Sequence, residues 1–235
     1  SRADFGKMQP LMEQVERAEE FACRIFVTGM HLLPRYGSTV HEVQKAGFQH
    51  IYAYQNQDGS GGPQMDVTLA NTISGLSHYI RQAPCDLIVV HGDRVEALAG
   101  AIVGMLNNTL VAHVEGGELS GTVDELIRHA VTKLSHIHFV ANKEARRRLI
   151  QMGERREAIF VIGSPDIDVM LSADLPSLSS VKERYQIPFP TYAIFVYHPV
   201  TTELPRLRSH ITSALDALEA SGLNFVVIYP NNDQG

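Results

Sequence analysis

The chain of 235 residues is 44% hydrophobic and 20% charged, with 20 Lys and Arg against 26 Asp and Glu and a formal net charge of -6. That composition gives an ordinary globular core and room for one large domain or two small ones, and the acidic balance argues against nucleic acid, which is bound through bulk positive charge. No apolar run approaches the roughly 18 residues of a membrane span, the segment Ser1-Arg2-Ala3-Asp4 is polar, and Cys23 and Cys85 form no Cys-x-x-Cys pair, so the expectation is a reduced, cytoplasmic protein with no membrane anchor, disulfide framework or zinc cluster.

In chain order, the first predicted element is a helix over 5–20, with Phe5, Met8, Leu11, Met12 and Val15 on one stripe. Short runs rich in Val and Ile then alternate with helix-period stretches. Strands are expected over 24–28, 50–54, 86–91, 109–114, 137–140 and 159–162, and helices over 39–46, 66–82, 95–106, 124–134 and 143–152. Such alternation is the signature of repeated βαβ units around a parallel sheet. Residues 172–190 turn to Ser, Pro and Leu and read as a linker with one short helix over 181–185. A second register follows, with a strand over 192–197, a helix over 206–220 and a strand over 224–229. The expected organisation is therefore a domain over 1–171, the linker, and an incomplete second domain over 191–235. A turn that leads at once into a helix ordinarily follows a strand, so a first strand is also expected to be missing from the chain.

Ligands of open parallel sheets bind beyond the carboxyl ends of the strands. The chain is rich in polar groups there: Gly29-Met30-His31, His91-Gly92-Asp93-Arg94, Glu115-Gly116-Gly117-Glu118, His198-Pro199-Val200-Thr201-Thr202 and Asn231-Asn232-Asp233. Asp93 and Glu115 follow consecutive strands, so mutual repulsion and burial are expected to raise one pKa and leave a proton donor beside a base. Asp124 opens a helix, where it reads equally as a catalyst or as an N-cap. Arg2, Arg94 and His198 suit a phosphate, or else surface ion pairs.

Weaker signals read as structure. The segment Gly59-Ser60-Gly61-Gly62-Pro63 lacks phosphate-loop spacing, and Gly6-Lys7 is followed by Met8 rather than Ser or Thr. His136 and His138 have no third ligand nearby, so metal binding is not expected. Arg146-Arg147-Arg148 and Arg155-Arg156, interleaved with Glu144, Glu154 and Glu157, read as a solvated face. The Asn107-Asn108-Thr109 sequon abuts a strand expected to be buried.

The segments His113-Val114-Glu115-Gly116-Gly117-Glu118, Ser120-Gly121-Thr122-Val123-Asp124-Glu125 and Ile127-Arg128-His129 resemble the hydrolysing UDP-N-acetylglucosamine 2-epimerases of sialic-acid biosynthesis. Supporting matches are Arg2-Ala3-Asp4-Phe5-Gly6, Thr28-Gly29-Met30-His31-Leu32, His91-Gly92-Asp93-Arg94, Gly163-Ser164-Pro165 and His198-Pro199-Val200-Thr201-Thr202, in order along almost the whole chain. The resemblance implies an α/β fold of two Rossmann-like domains facing a cleft, the glycosyltransferase B architecture. It makes Asp93, Glu115 and Asp124 the catalytic carboxylates and places Arg2, Asp4, His31, Arg94 and His198 at the substrate. The implied reaction converts a UDP-sugar to free N-acetylmannosamine and UDP by elimination and rehydration. That chemistry asks for proton transfer and for positive groups at the diphosphate, and for no metal or nicotinamide. The expected partners are the UDP-sugar and further copies of the chain, as a dimer or tetramer.

The non-hydrolysing epimerase branch competes with this reading; it usually has Ala and then Leu-Arg where this chain has Gly117-Glu118-Leu119, which favours hydrolysis. A UDP-2,4-diacetamido-trideoxyhexose as substrate is a second alternative. A binding module without turnover is a third, disfavoured because three carboxylates would weaken mere anion binding.

Overall fold

The computed structural model describes residues 2–58, 64–173 and 175–228, with the side chains of Arg2, Ala3, Thr201 and Thr202 excepted. The Gly59-Ser60-Gly61-Gly62-Pro63 segment, the end of the last expected strand and Asn231-Asn232-Asp233 lie outside the described residues. The chain falls into two compact units, Ser1–Ser172 and Ala173–Gly235.

The first unit runs α1 (Arg2–Arg17), β1 (Ile25–Val27), α2 (Val40–Lys45), β2 (Ile51–Ala53), α3 (Met65–Gln82), β3 (Leu87–His91), α4 (Val95–Leu106), β4 (Leu110–Val114), α5 (Val123–Lys133), β5 (Ile137–Val140), α6 (Lys143–Gln151), β6 (Ile159–Val161) and α7 (Pro165–Met170). Each expected strand and helix is present, with ends moved by up to three residues. Helix α7 was not anticipated. It has a start signal, Ser164 before Pro165 at the first turn, but six residues carry too little apolar periodicity to announce a helix.

All pairings are parallel, as βαβ units require. Where one continuous sheet was expected, the described residues form two: β1 with β2, and β3-β4-β5-β6 in that order. Helix α3 serves both, because Phe26 of β1 and Ile88 of β3 pack on the same cluster of Leu76, Ile80 and Val103. Strand β4 is the most deeply set, with Val111, Ala112, His113 and Val114 all buried, as suits a parallel strand covered on both faces. Val90, Val95, Ala97, Ala101, Val111, Ile127 and Val131 join β3 and β4 to α4 and α5. Helix α4 can lie this close to the sheet because Gly104 has no side chain: a Cβ there would stand 2.3 Å from Val111 Cγ2.

The second unit holds α8 (Leu178–Arg184), β7 (Ala193–Val196), α9 (Leu207–Ser221) and β8 (Phe225–Ile228). Strands β7 and β8 are parallel, with Ala193 opposite Phe225 and Val196 opposite Ile228. Ser177 caps α8 by accepting from the Ser180 N–H at 3.2 Å, and Gly222 ends α9 in the left-handed conformation. The arginine-rich face of α6 is charge-paired at the surface: Arg147 and Arg148 reach Glu144 at 3.2 and 3.8 Å.

Candidate active site

The site is built where β3 and β4 end. Their backbones stay in ladder register past the strands: the Gly92 N–H donates to the Val114 carbonyl at 2.9 Å and the Glu115 N–H to the Phe139 carbonyl at 2.8 Å. Beneath the turn, buried His113 donates from Nε2 to the Gly92 carbonyl at 2.9 Å and accepts the Thr132 hydroxyl at Nδ1, 3.1 Å away. A carbonyl only accepts, so the partners settle the neutral tautomer. Burial holds His113 uncharged, with its pKa pushed down to about 3.

Glu115 has φ +62°, in the left-handed region that a residue with a Cβ rarely occupies without compensating contacts. Those contacts are dense. Its Oε2 accepts from His91 Nε2 at 2.9 Å and from Lys7 Nζ at 3.4 Å, and its Oε1 accepts the Ser164 hydroxyl. His91, at the end of β3, binds Asp4 Oδ1 through Nδ1 at 2.9 Å. Lys7 also reaches Asp166 at 3.2 Å. Asp4 and Lys7 lie three residues apart on α1 and so share a face of that helix, while Ser164 and Asp166 come from the start of α7. Elements far apart in the chain thus converge on one carboxylate.

The electrostatics follow from those partners. The hydrogen bond from His91 pulls the Glu115 pKa down to about 2, against the opposing effect of burial and with further help from Ser164 and Lys7. Burial would lower the His91 pKa, but hydrogen bonds to Asp4 and Glu115 outweigh it and push the imidazole up to about 9. The Lys7 pKa likewise rises, since Glu115 and Asp166 overcome its partial burial.

This corrects the expectation that Asp93 and Glu115 would perturb one another by repulsion. Each carboxylate has its own cation: the Arg128 guanidinium contacts Asp93, and the same arginine donates to the Glu118 carbonyl at 2.9 Å. The Glu115 pKa is therefore lowered rather than raised.

Asp124 is not the N-cap residue of its helix but lies in its first turn. Thr122 is the N-cap residue of α5, and Glu125 accepts from the Ser120 and Gly121 N–H groups at 2.7 and 2.8 Å. Asp124 instead receives the Thr122 hydroxyl at 3.2 Å. The Arg94 Nε lies 3.6 Å from Glu96 Oε2, and with the two side chains only 20% and 8% exposed this is a largely buried contact rather than a surface ion pair. Buried His31 contacts Thr39 Oγ1 at 2.9 Å and meets the Phe5 ring edge-on. The Arg2 side chain lies outside the described residues, and exposed His198 belongs to the second unit. Among the described residues no group of three or more His, Cys, Asp or Glu is placed to hold a metal; His136 accepts from the Val111 N–H and His138 faces Glu154.

His91, Lys7, Ser164, Arg128 and Asp166 are the site residues that sequence reasoning did not assign. His91, Ser164 and Arg128 each stand inside a motif quoted above, which was the available signal. Lys7 stands in the Gly6-Lys7 pair, whose sequence signal is only that of an incomplete phosphate loop.

The turn that carries the site has little room. Gly117 has φ +85°, and a Cβ there would lie 2.6 Å from Leu149 Cδ1 and 2.8 Å from the Ala145 carbonyl oxygen. Its own carbonyl accepts from Arg148 Nη1 at 2.8 Å. Gly117→Ala is expected to destabilise the first unit by about 2 kcal/mol or more, from backbone strain and a backbone clash together. Denaturant unfolding checks this, and an unchanged midpoint would show that the turn relaxes.

A family model described as UDP-N-acetylglucosamine 2-epimerase matches residues 13–235. The chain is 50% identical over its full 235 residues to the UDP-N-acetylglucosamine 2-epimerase of Neisseria meningitidis serogroup B, of which it covers 62%. It is 34% identical over 241 aligned residues to the hydrolysing UDP-N,N'-diacetylbacillosamine 2-epimerase of Legionella pneumophila, covering 63% of that protein. Among solved structures, Methanocaldococcus jannaschii UDP-GlcNAc 2-epimerase in complex with UDP-GlcNAc and UDP superposes with a TM-score of 0.82 at 19% identity, over 98% of this chain and 64% of that one. The chain thus spans somewhat over three-fifths of the length of these relatives. The likeness in fold bears out the expected α/β, Rossmann-like, glycosyltransferase B type.

Proposed function

The chain belongs to the UDP-N-acetylglucosamine 2-epimerase family, and from that premise we propose that it serves a hydrolysing epimerase reaction that turns UDP-N-acetylglucosamine and water into N-acetylmannosamine and UDP. In the first step a base takes the proton from carbon 2 while the bond from carbon 1 to the diphosphate breaks, giving 2-acetamidoglucal and UDP. In the second, water supplies hydroxyl to carbon 1 and a proton returns to carbon 2 on the opposite stereochemical course. Both steps ask for carboxylates held in place near positive groups.

The observation that carries this reading is the pair of separately braced carboxylates at adjacent strand ends: Glu115 on His91, Lys7 and Ser164, and Asp93 on Arg128. Asp124, which accepts the Thr122 hydroxyl, is the third proposed carboxylate. Asp4 and His31, with Arg2, Arg94 and His198, are proposed for the substrate. The hydrolysing branch is supported by the Gly116-Gly117-Glu118-Leu119 segment and by the printed activity of the Legionella relative. We place the protein in the cytoplasm, where nucleotide sugars are made, and as a homo-oligomer without nucleic-acid or membrane partners.

Product analysis by NMR in D2O tests the proposal. With the complete protein and UDP-N-acetylglucosamine, the expected products are UDP and free N-acetylmannosamine with one deuterium at carbon 2. UDP-N-acetylmannosamine as the end product would place the protein in the non-hydrolysing branch. Turnover only of the UDP-2,4-diacetamido-trideoxyhexose would keep the chemistry and change the sugar.

A further inference from the structure

His91 has an unusual setting for a histidine at a strand end. Its side chain is 7% exposed, and both ring nitrogens lie 2.9 Å from carboxylate oxygens, Nδ1 from Asp4 and Nε2 from Glu115. An ionised carboxylate can only accept, so two such partners require a proton on each nitrogen. The ring is pinned at both ends, and α1, through Asp4, is tied across it to the turn after β4. The charged groups around it are Asp4 and Lys7 from α1, Glu115 after β4 and Asp166 from α7, with Lys7 joined to both Glu115 and Asp166. His113, the titratable neighbour on β4, is neutral and faces Gly92 and Thr132 instead.

Resting on the reading of Glu115 as a proton-transfer carboxylate, we infer that His91 is a positioning residue for the reaction: a doubly protonated imidazolium, anchored by Asp4, that aims Glu115 and keeps it ionised. The remaining contacts of Glu115 leave one direction for its free electron pairs, since His91 and Lys7 occupy Oε2 and Ser164 occupies Oε1. Glu115 therefore enters each cycle as an anion, suited to take a proton or to face positive charge developing at carbon 1. It is not the resting proton donor, and the donor role falls to another group. The charge on His91 is what holds this arrangement, and it is lost as pH rises through about 9.

Two measurements on the complete protein test this, using wild type and Asp4→Asn, which keeps an acceptor atom at the same place and removes the charge. First, nitrogen-15 NMR of the histidine rings, without substrate, should show His91 protonated on both nitrogens at neutral pH with a midpoint near 9, and a lower midpoint in Asp4→Asn. Second, the alkaline limb of kcat/KM should move to lower pH in Asp4→Asn, each unit of movement being a tenfold loss at a fixed pH above it. A neutral His91 at pH 7, or a midpoint unaffected by Asp4→Asn, overturns the inference. So does a rate reduced equally at every pH, which is what a merely structural role would give. If the NMR result holds but wild type turns over no UDP-sugar, it is the proposed reaction that fails, because the ring measurement does not depend on turnover.

Discussion

Glu115→Gln is expected to lower turnover by on the order of a hundredfold or more, the usual scale for removing a proton-transfer group, while the protein stays folded. A carboxamide fills the same space and can still accept one hydrogen bond, from Ser164 or His91. It cannot take up a proton at neutral pH, and it leaves His91 and Lys7 with only Asp4 and Asp166 as counter-charges. The fold should tolerate this because both cations keep one carboxylate each. Steady-state kinetics together with thermal unfolding decide the matter. A rate within a few-fold of wild type would remove Glu115 from the chemistry, and a collapse of stability would make its role that of a brace for α1 and α7.

A comparable loss, again about a hundredfold or more in kcat, is expected for Asp93→Asn. Asp93 leaves β3 two residues after His91, and its partner Arg128 comes from α5 and also holds the Glu118 carbonyl. Replacement by Asn removes the charge but leaves an oxygen for the guanidinium. Since the pair is largely buried, with Arg128 11% and Asp93 26% exposed, the stability cost should be about 1.5 to 3 kcal/mol, which lowers the unfolding midpoint but leaves the protein folded at assay temperature, so that the rate loss is read on folded enzyme. Arg128→Ala separates the two effects: it should free the Glu118 turn and weaken the site through geometry. A near-normal rate in Asp93→Asn would show that this carboxylate serves only to anchor Arg128.

Much of the fold was legible because local periodicity reports burial. Strands such as β4, apolar but for His113, are covered on both faces, and α3 and α5 show their core stripes at helical spacing. Helix ends were less so. Helix α1 lies three residues earlier than its apolar stripe suggests, with Pro10 inside it as in the expected range, and α7 is too short for its apolar pattern to register. The division between β1-β2 and β3-β4-β5-β6 also escaped sequence reading, because strand pairing is a matter of neighbours in space and no periodicity encodes it.

The same distinction runs through the site. That Asp93 and Glu115 stand at the ends of adjacent parallel strands followed from the sequence alone, since the βαβ pattern places successive strand ends along one edge. What charge they carry did not. Glu115 is governed by Lys7, His91 and Ser164, the first and last 108 and 49 residues away in the chain, and His91 by Asp4, 87 residues away. Hydrogen bonds act only over about 3 Å and buried charges over a few Å. The sign of each pKa shift is therefore set by which side chains the packing of α1, α5 and α7 brings within that reach. Local patterning sets the α/β order of elements and the polar strand ends, while long-range packing sets each carboxylate against a cation rather than against the other carboxylate.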